Sequence, residues 1–383
     1  MQILAIGVGG AGIRMLDFLL HRPEEGVLEK FKETFGTRKY FDYKDSLTPL
    51  AVDTSRPHLE NLKSIEEKDK ILIGKYDAKG HGTGSDISLG ERIAEKEIDR
   101  IETKLQDVAG QVDFCLIMHS LGGGTGGGAT PVISEVARRV LEVPVYTVSI
   151  LPSLEESNIY ILNAVDAMKS VLGKVDGVIL VDNGVVTEKI VKIPIYEQVN
   201  LYVSRFVRTL VRASVESGII GSSSVIGTMS PFDGVSTIGN VSSGINKLGK
   251  GKKWISFLMN KVIKGKGGLG LLLNCDYKTA QRALLLIVGP PEKVADTFHD
   301  AREWLQNQIP GIAVRGGEYH VPNSTQVEIG VLLSGLTEVT AIKELYKRAK
   351  EITEVIREKK EELKVRKEEF IKLFEESDIE PLF

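Results

Sequence analysis

The sequence predicts an α/β protein: a doubly wound, mostly parallel sheet, then a long helix, a smaller α+β unit and a C-terminal helix. Three observations predict it. Short apolar runs alternate with helix-periodic stretches from residue 3 to residue 183, the pattern of a parallel sheet with crossover helices. Glycine-rich turns follow three of those runs on their C-terminal side, where ligands collect in open α/β sheets. Past Gly218 the composition turns to glycine, serine and short apolar runs before a highly charged helix closes the chain.

A length of 383 residues fits two or three domains, and 42% hydrophobic with 26% charged residues is ordinary globular composition. The net charge of −3 gives no electrostatic reason to expect a nucleic-acid partner. Cys115 and Cys275 make no disulfide framework, which fits a reducing compartment. No basic leader precedes the first strand, and no apolar run approaches the roughly 20 residues of a membrane span. The six histidines show no metal-ligand spacing. The expectation is a soluble, cytoplasmic protein without a metal centre of its own.

Residues 3–8 read as a buried strand running into Gly7-Val-Gly-Gly-Ala-Gly12, and a helix with Ile13, Leu16, Leu19 and Leu20 on one face follows. This matches G-x-G-x-x-G, the dinucleotide fingerprint, which also requires an acid about 20 residues on. The next strand, 47–53, ends at Asp53, about twice that distance away, beyond a charged and aromatic excursion at 24–45. Asp53-Thr-Ser55 then sits at a strand end. A strand at 71–74 leads to Gly80-His-Gly-Thr-Gly-Ser-Asp86 and an amphipathic helix at 89–105.

The strand at 112–118 enters the densest glycine run, Gly122-Gly-Gly-Thr-Gly-Gly-Gly128, and a helix is expected beyond it with Pro131 in its first turn. Glycines there put no Cβ between backbone and ligand and permit positive φ. Successive amides at a helix N-terminus favour an anion, so the direct reading is a phosphate site. Thr125 supplies the run's only hydroxyl. A strand at 143–151, the turn Pro152-Ser-Leu-Glu-Glu-Ser157, a helix at 159–172 and a strand at 177–183 follow, and Tyr196-Glu-Gln-Val-Asn200 opens a helix to about residue 215.

In the second half, seven lysines and no acid lie between Gly234 and Cys275. The basic stretch 247–266 reads as a helix packed on its own domain, a subunit contact, or a peripheral contact with an anionic surface. Strands are expected at 283–289 and 327–334, with a helix at 294–307 between them. The closing helix, 338–377, lies in a stretch with 13 acids and 11 bases from residue 338 onward, suited to i,i+4 pairing on a solvated face. The tail 378–383 reads as disordered, a potential peptide ligand.

Gly122–Gly128 resembles the GGGTG[ST]G loop of the tubulin/FtsZ superfamily, with Gly127 where Ser or Thr is usual. The chain is most similar to the archaeal tubulin-like CetZ proteins, on Lys79-Gly-His-Gly-Thr-Gly-Ser-Asp86, Ile150-Leu-Pro152, Asn158-Ile-Tyr-Ile-Leu-Asn-Ala164, Val235-Ser-Thr-Ile-Gly239 and the terminal Leu-Phe. The resemblance implies a GTP-binding domain at 1–193, a central helix at 194–217 and a C-terminal activation domain at 218–336. A C-terminal helix at 337–377 and the tail at 378–383 complete it. It also implies GTP or GDP as ligand, Mg²⁺ beside the phosphates, and head-to-tail self-assembly into protofilaments that serve cell shape or a related process. By position, Gly9, Gly10, Ala11, Gly12 and Arg14 line the inner phosphates. Gly122, Gly123, Gly124, Thr125, Gly126 and Gly127 cradle the outer ones, and Gly82, Thr83 and Gly84 approach the γ-phosphate. Asp53 belongs to the same site, Glu156 holds the ribose, Asn183 and Asn200 read guanine, and Tyr196 stacks on it.

One departure concerns hydrolysis. In this family an acid carried into the neighbouring subunit's site positions the attacking water. Here Ser222, Ser223 and Ser224 occupy that place, and the nearest acids are Glu216 and Asp233. A serine is a poor base at neutral pH, so the expectation is firm nucleotide binding with weak turnover, Asp233 being the substitute acid. A non-hydrolysing nucleotide-binding scaffold is the second reading. A nicotinamide oxidoreductase is the third, and it leaves Gly122–Gly128 unexplained.

Overall fold

The computed structural model describes residues 1–21, 46–187, 195–217, 221–229, 234–265 and 270–375. The excursion at 24–45, Asp233, Lys266, the tail at 378–383 and the side chain of Tyr196 lie outside the described residues.

β1 (Ile3–Val8) is buried along its whole length and passes directly into α1 (Gly9–Leu20). β2 (Leu47–Asp53) leads to a short α2 (Arg56–Glu60) and β3 (Lys70–Leu72). The amphipathic stretch expected as one helix is two, α3 (Ile87–Lys96) and α4 (Ile98–Gln106), broken at Glu97. β4 (Phe114–Ser120), α5 (Gly124–Leu141), β5 (Val145–Leu151), α6 (Asn158–Leu172), β6 (Gly177–Asp182) and α7 (Asn183–Thr187) complete the first half. α5 begins inside the glycine run, so Pro131 lies in the helix interior and not in its first turn. Helix propensity disfavours glycine, but here close packing with neighbouring backbone decides the conformation.

The long α8 (Ile195–Ser217) crosses the molecule to α9 (Ser222–Thr228). Then come β7 (Val235–Gly244), the basic helix α10 (Lys253–Lys264), β8 (Arg282–Gly289), α11 (Pro291–Val294), α12 (Phe298–Gln308), β9 (Ala313–His320), β10 (Gln326–Leu336) and α13 (Thr340–Glu375). The single helix expected at 294–307 is thus α11 and α12. β7 and β9, which carry serines and glycines in place of a clear apolar alternation, were not readable as strands.

All ten strands join one sheet in the order β3-β2-β1-β4-β5-β6-β7-β10-β8-β9. From β3 to β7 the pairing is parallel, β10 is antiparallel to both β7 and β8, and β8 pairs β9 in parallel. The order β3-β2-β1-β4-β5-β6 reverses direction between β1 and β4. That switch point opens a crevice at the strands' C-terminal ends. The two sheet faces hold separate cores, one under α3 and α5, the other under α1 and α8.

α8 ties the two halves together. Arg208 Nε and Nη2 donate to the Leu19 and Phe18 carbonyls at 3.0 and 2.6 Å, at the end of α1. On β10 the buried Glu328 accepts from Arg205 Nε at 2.8 Å and Thr209 Oγ1 at 3.0 Å. In α10, Trp254, Ile255, Leu258, Met259, Val262 and Ile263 are buried, so one face packs on its own domain while Phe257 stays exposed. Among the described residues no helix is long and apolar enough to cross a membrane.

Candidate nucleotide site

The crevice between β1 and β4 is a cavity of about 320 Å³. Its walls are the turns that follow β1, β2, β4 and β5, the Gly80–Asp86 loop, and the start of α8.

The turn after β1 contributes Gly9, Gly10, Ala11 and Arg14. Gly9 has φ +70°, and a Cβ on it would stand 2.7 Å from the Gly126 amide nitrogen, so this turn and the start of α5 touch backbone to backbone. Gly12 does not line the cavity. A Cβ there would meet the Met118 carbonyl oxygen at 2.0 Å, which makes it the residue that lets α1 lie on β4.

After β4, Gly122, Gly123, Gly124, Thr125 and Gly126 all face the cavity at the N-terminus of the 18-residue α5. None of them has positive φ. Their glycines serve close approach: a Cβ on Gly124 would be 2.3 Å from Thr83 Oγ1, and one on Gly126 2.9 Å from the Ser120 carbonyl. Gly127 points away, toward Leu121 and Ala167. The unpaired amides and the dipole of a helix this long make its head an anion site.

Positive φ is used instead by the third loop, at Lys79, Gly80, Gly82, Gly84 and Ser85. Asp86 ends it by capping α3, accepting from the Leu89 amide at 2.9 Å. Asn163 Nδ2 donates to the carbonyls of Ser85 at 2.8 Å and Gly122 at 2.9 Å, clipping this loop to the glycine run. Gly82, Thr83 and Gly84 line the cavity. Thr125 Oγ1 lies 2.7 Å from Thr54 Oγ1 and 3.5 Å from Thr83 Oγ1, so hydroxyls from three turns meet at one point.

Asp53 closes β2 with its carboxylate buried, accepting from the Thr54 amide at 2.7 Å and lying 2.8 Å from His58 Nδ1. Burial raises its pKa, and the bond to His58 partly offsets that. At the opposite end of the cavity, Glu156 Oε1 accepts from the Ser153 amide at 2.9 Å and Asn183 Nδ2 at 3.1 Å. Asn200 and Val199 of α8 and Tyr160 of α6 complete that wall.

Beneath α5, the fully buried His119 lies with Nδ1 2.9 Å from the Gly126 carbonyl and Nε2 2.7 Å from Ser149 Oγ. Burial lowers its pKa to about 4. The ring is therefore neutral, with Nδ1–H donating to the Gly126 carbonyl and Nε2 in hydrogen-bond contact with Ser149 Oγ. Thr130 Oγ1 donates to the same carbonyl at 2.6 Å.

The structure thus gathers Gly9, Gly10, Ala11, Arg14, Asp53, Gly82, Thr83, Gly84, Gly122–Gly126, Glu156, Asn183 and Asn200 around one cavity. Ser222, Ser223 and Ser224 are not among them. They open α9, at the end of α8 remote from Asn200 and beside the start of β7, whose Ser236 pairs with Ile179 near the start of β6. That is the N-terminal edge of the sheet, opposite the cavity. Thr54 and Ser55, which the sequence placed at a strand end, belong to the site, while His58, Asn163 and His119 belong to it or support it and were missed. His58, Asn163 and His119 gave no signal, because their partners lie far away in sequence or behind the loop.

A glycine-lined crevice at the switch point of a doubly wound sheet, with carboxylate and amide groups at its far end, is the architecture of a tubulin-type α/β protein. The tubulin/FtsZ family GTPase domain matches residues 2–190, and the C-terminal domain of tubulin-like CetZ proteins matches residues 195–351. Tubulin-like protein CetZ1 of Haloferax volcanii is 32% identical over 94% of each chain. The chain therefore belongs to the tubulin/FtsZ superfamily, among the CetZ proteins. The GDP bound monomer of CetZ1 from Haloferax volcanii superposes with a TM-score of 0.76 at 31% identity, covering 92% of this chain and 100% of that one. CetZ2 of the same organism, solved as a GTPγS bound protofilament, gives 0.77 at 26% identity, covering 93% and 100%.

Proposed function

We propose that the protein is a cytoskeletal GTPase of the cytoplasm that binds GTP in this cavity and assembles head to tail into protofilaments, acting in cell shape or a related process. The observation that carries the reading is the convergence of three glycine loops on one cavity whose other end presents Glu156, Asn183 and Asn200. The amides of Gly123–Gly126 receive the outer phosphates, Arg14 and the Gly9–Ala11 turn the inner ones. Glu156 accepts from ribose hydroxyls, Asn183 and Asn200 pair with the guanine edge, and Tyr196 stacks on the base. Mg²⁺ would supply neutralising charge to the phosphates when bound beside them. Asp53 lines the same cavity, but its carboxylate is already engaged by the Thr54 amide and by His58, so the ion would be held chiefly by phosphate and water. Among the described residues no group of three or more His, Cys, Asp or Glu would hold a metal ion alone.

GTP or GDP at a hundredfold excess over Kd should stabilise the fold by about 2.7 kcal/mol, and NAD should give no shift in melting temperature. Light scattering should rise with GTP and with a non-hydrolysable analogue and stay flat with GDP. A nucleotide-independent melting temperature would sink the reading. The second reading, a nucleotide-binding scaffold with little hydrolysis, is favoured by one observation: α9, Ser-Ser-Ser-Val-Ile-Gly-Thr, carries no carboxylate. Asp233→Ala separates the two accounts of turnover. A loss of phosphate release from GTP in that variant makes Asp233 the substitute acid, and unchanged phosphate release excludes it.

A further inference from the structure

On the face opposite the nucleotide cavity, a guanidinium lies over the segment that lacks the acid. A Cβ on Gly227 of α9 would stand 1.8 Å from Arg315 Nη1 and 2.7 Å from its Cζ, so the Arg315 head group rests on that glycine. Arg315 is exposed, and no hydrogen bond or ion pair engages it among the described residues. Its place in the sheet is fixed by register. Arg315 pairs with Leu284 of β8, Leu284 with Leu332 of β10, and Leu332 with Ile238 near the start of β7. It therefore stands at the same sheet edge as α9. Gly316, beside it, holds β9 tight against β8: a Cβ there would fall 1.9 Å from the Leu285 carbonyl oxygen.

We infer that Arg315 is a catalytic residue acting in trans, inserted by one subunit at the γ-phosphate held by the next. The inference rests on the proposed head-to-tail assembly, which brings the α9 face of one copy over the cavity of its neighbour. In the reaction, water oxygen bonds to the γ-phosphorus, the bond from phosphorus to the β–γ bridging oxygen breaks, and the water proton passes to a γ-phosphate oxygen. Charge builds on the γ-oxygens and the bridging oxygen. A planar guanidinium stabilises that charge without acting as a base. Ser222–Ser224 supply only hydroxyls for the water.

The test measures three quantities for the full chain: affinity for GTP, polymer sedimented with GTPγS, and phosphate released per mole of polymer. Arg315→Ala should leave the first two unchanged and lower the third about 10³-fold, the lower end of what such a guanidinium contributes. GDP with aluminium fluoride should be trapped by wild-type polymer and not by the variant. Mixing Arg315→Ala with Gly123→Glu, which carries an acid into the phosphate cradle, should restore release, because the second chain lends its Arg315 to the first chain's site. Wild-type binding without release, equal release in Arg315→Ala, lost GTPγS polymer in that variant, or no rescue in the mixture would each overturn the assignment. Failure of wild type to bind GTP at all would instead overturn the proposed function.

Discussion

A single methyl group separates the glycines that shape the fold from those that serve the ligand. At Gly12 it would be driven to 2.0 Å from the Met118 carbonyl oxygen, with strand backbone that cannot yield. Gly12→Ala should therefore cost at least about 3 kcal/mol and show as a collapsed denaturation midpoint. At Gly123, with φ −83° and nothing within 4 Å of an added Cβ, alanine fits the fold. Gly123→Ala should melt with the wild type yet bind GTP about tenfold more weakly, a loss of roughly 1.4 kcal/mol, read by titration with a fluorescent nucleotide. A Gly123→Ala protein that binds normally would remove that amide from the phosphate site. The two residues look alike in sequence. Spacing showed that glycines were required after β1 and β4, but not which of them face the cavity, since that depends on strands brought beside them by the sheet.

The same limit recurs at the level of elements. Most strands and helices of the first half were legible because parallel strands are apolar throughout and end in glycine turns. α5 was legible only past Pro131, because its first turns are glycine, and only contact explains their helical state. A Cβ on Gly90 of α3 would fall 2.3 Å from the Gly124 carbonyl oxygen, and one on Gly128 of α5 2.1 Å from that of Ile87. The two helices cross with their backbones in contact. His119 supports this crossing from below, and it links stability to pH. Its folded-state pKa of about 4 is depressed below the ordinary 6.5. The unfolded chain therefore binds the proton first as pH falls. The contribution is fully present above about pH 6.5 and is lost progressively toward pH 4, amounting to about 3 kcal/mol over that window. Denaturant melts should show this decline, and His119→Asn should flatten it. An identical slope in the variant would assign the decline to other groups.

Across the whole molecule the two halves, expected as a GTP-binding domain and a smaller C-terminal domain, share one sheet. The joint is narrow in the sheet itself. The β6–β7 register is a single pair, Ile179 with Ser236, and α8 bridges it through Arg208 to the end of α1 and through Arg205 and Thr209 to Glu328. The far end of the chain is different in kind. α13 is anchored by Leu345, Ala349 and Ile352, which are buried, and every described side chain beyond Ile352 is exposed. Its 22 residues from Glu354 to Glu375 extend about 33 Å at 1.5 Å each. Pairs such as Lys364 with Glu361 at 3.1 Å sustain the helix, each contributing only about 0.2–0.5 kcal/mol. They act within the helix and add nothing to the fold of the body. Deleting residues 354–383 should thus leave the melting temperature within about 1 °C of wild type, since among the described residues no buried contact is removed. GTP affinity should be unchanged, and far-UV ellipticity should fall by the share of helix deleted. Leu345→Asp, by contrast, places a charge in the anchor and should cost about 3 kcal/mol or more. A truncated chain that melts several degrees lower would mean that the distal helix folds back on the body, and its exposure would then be wrong.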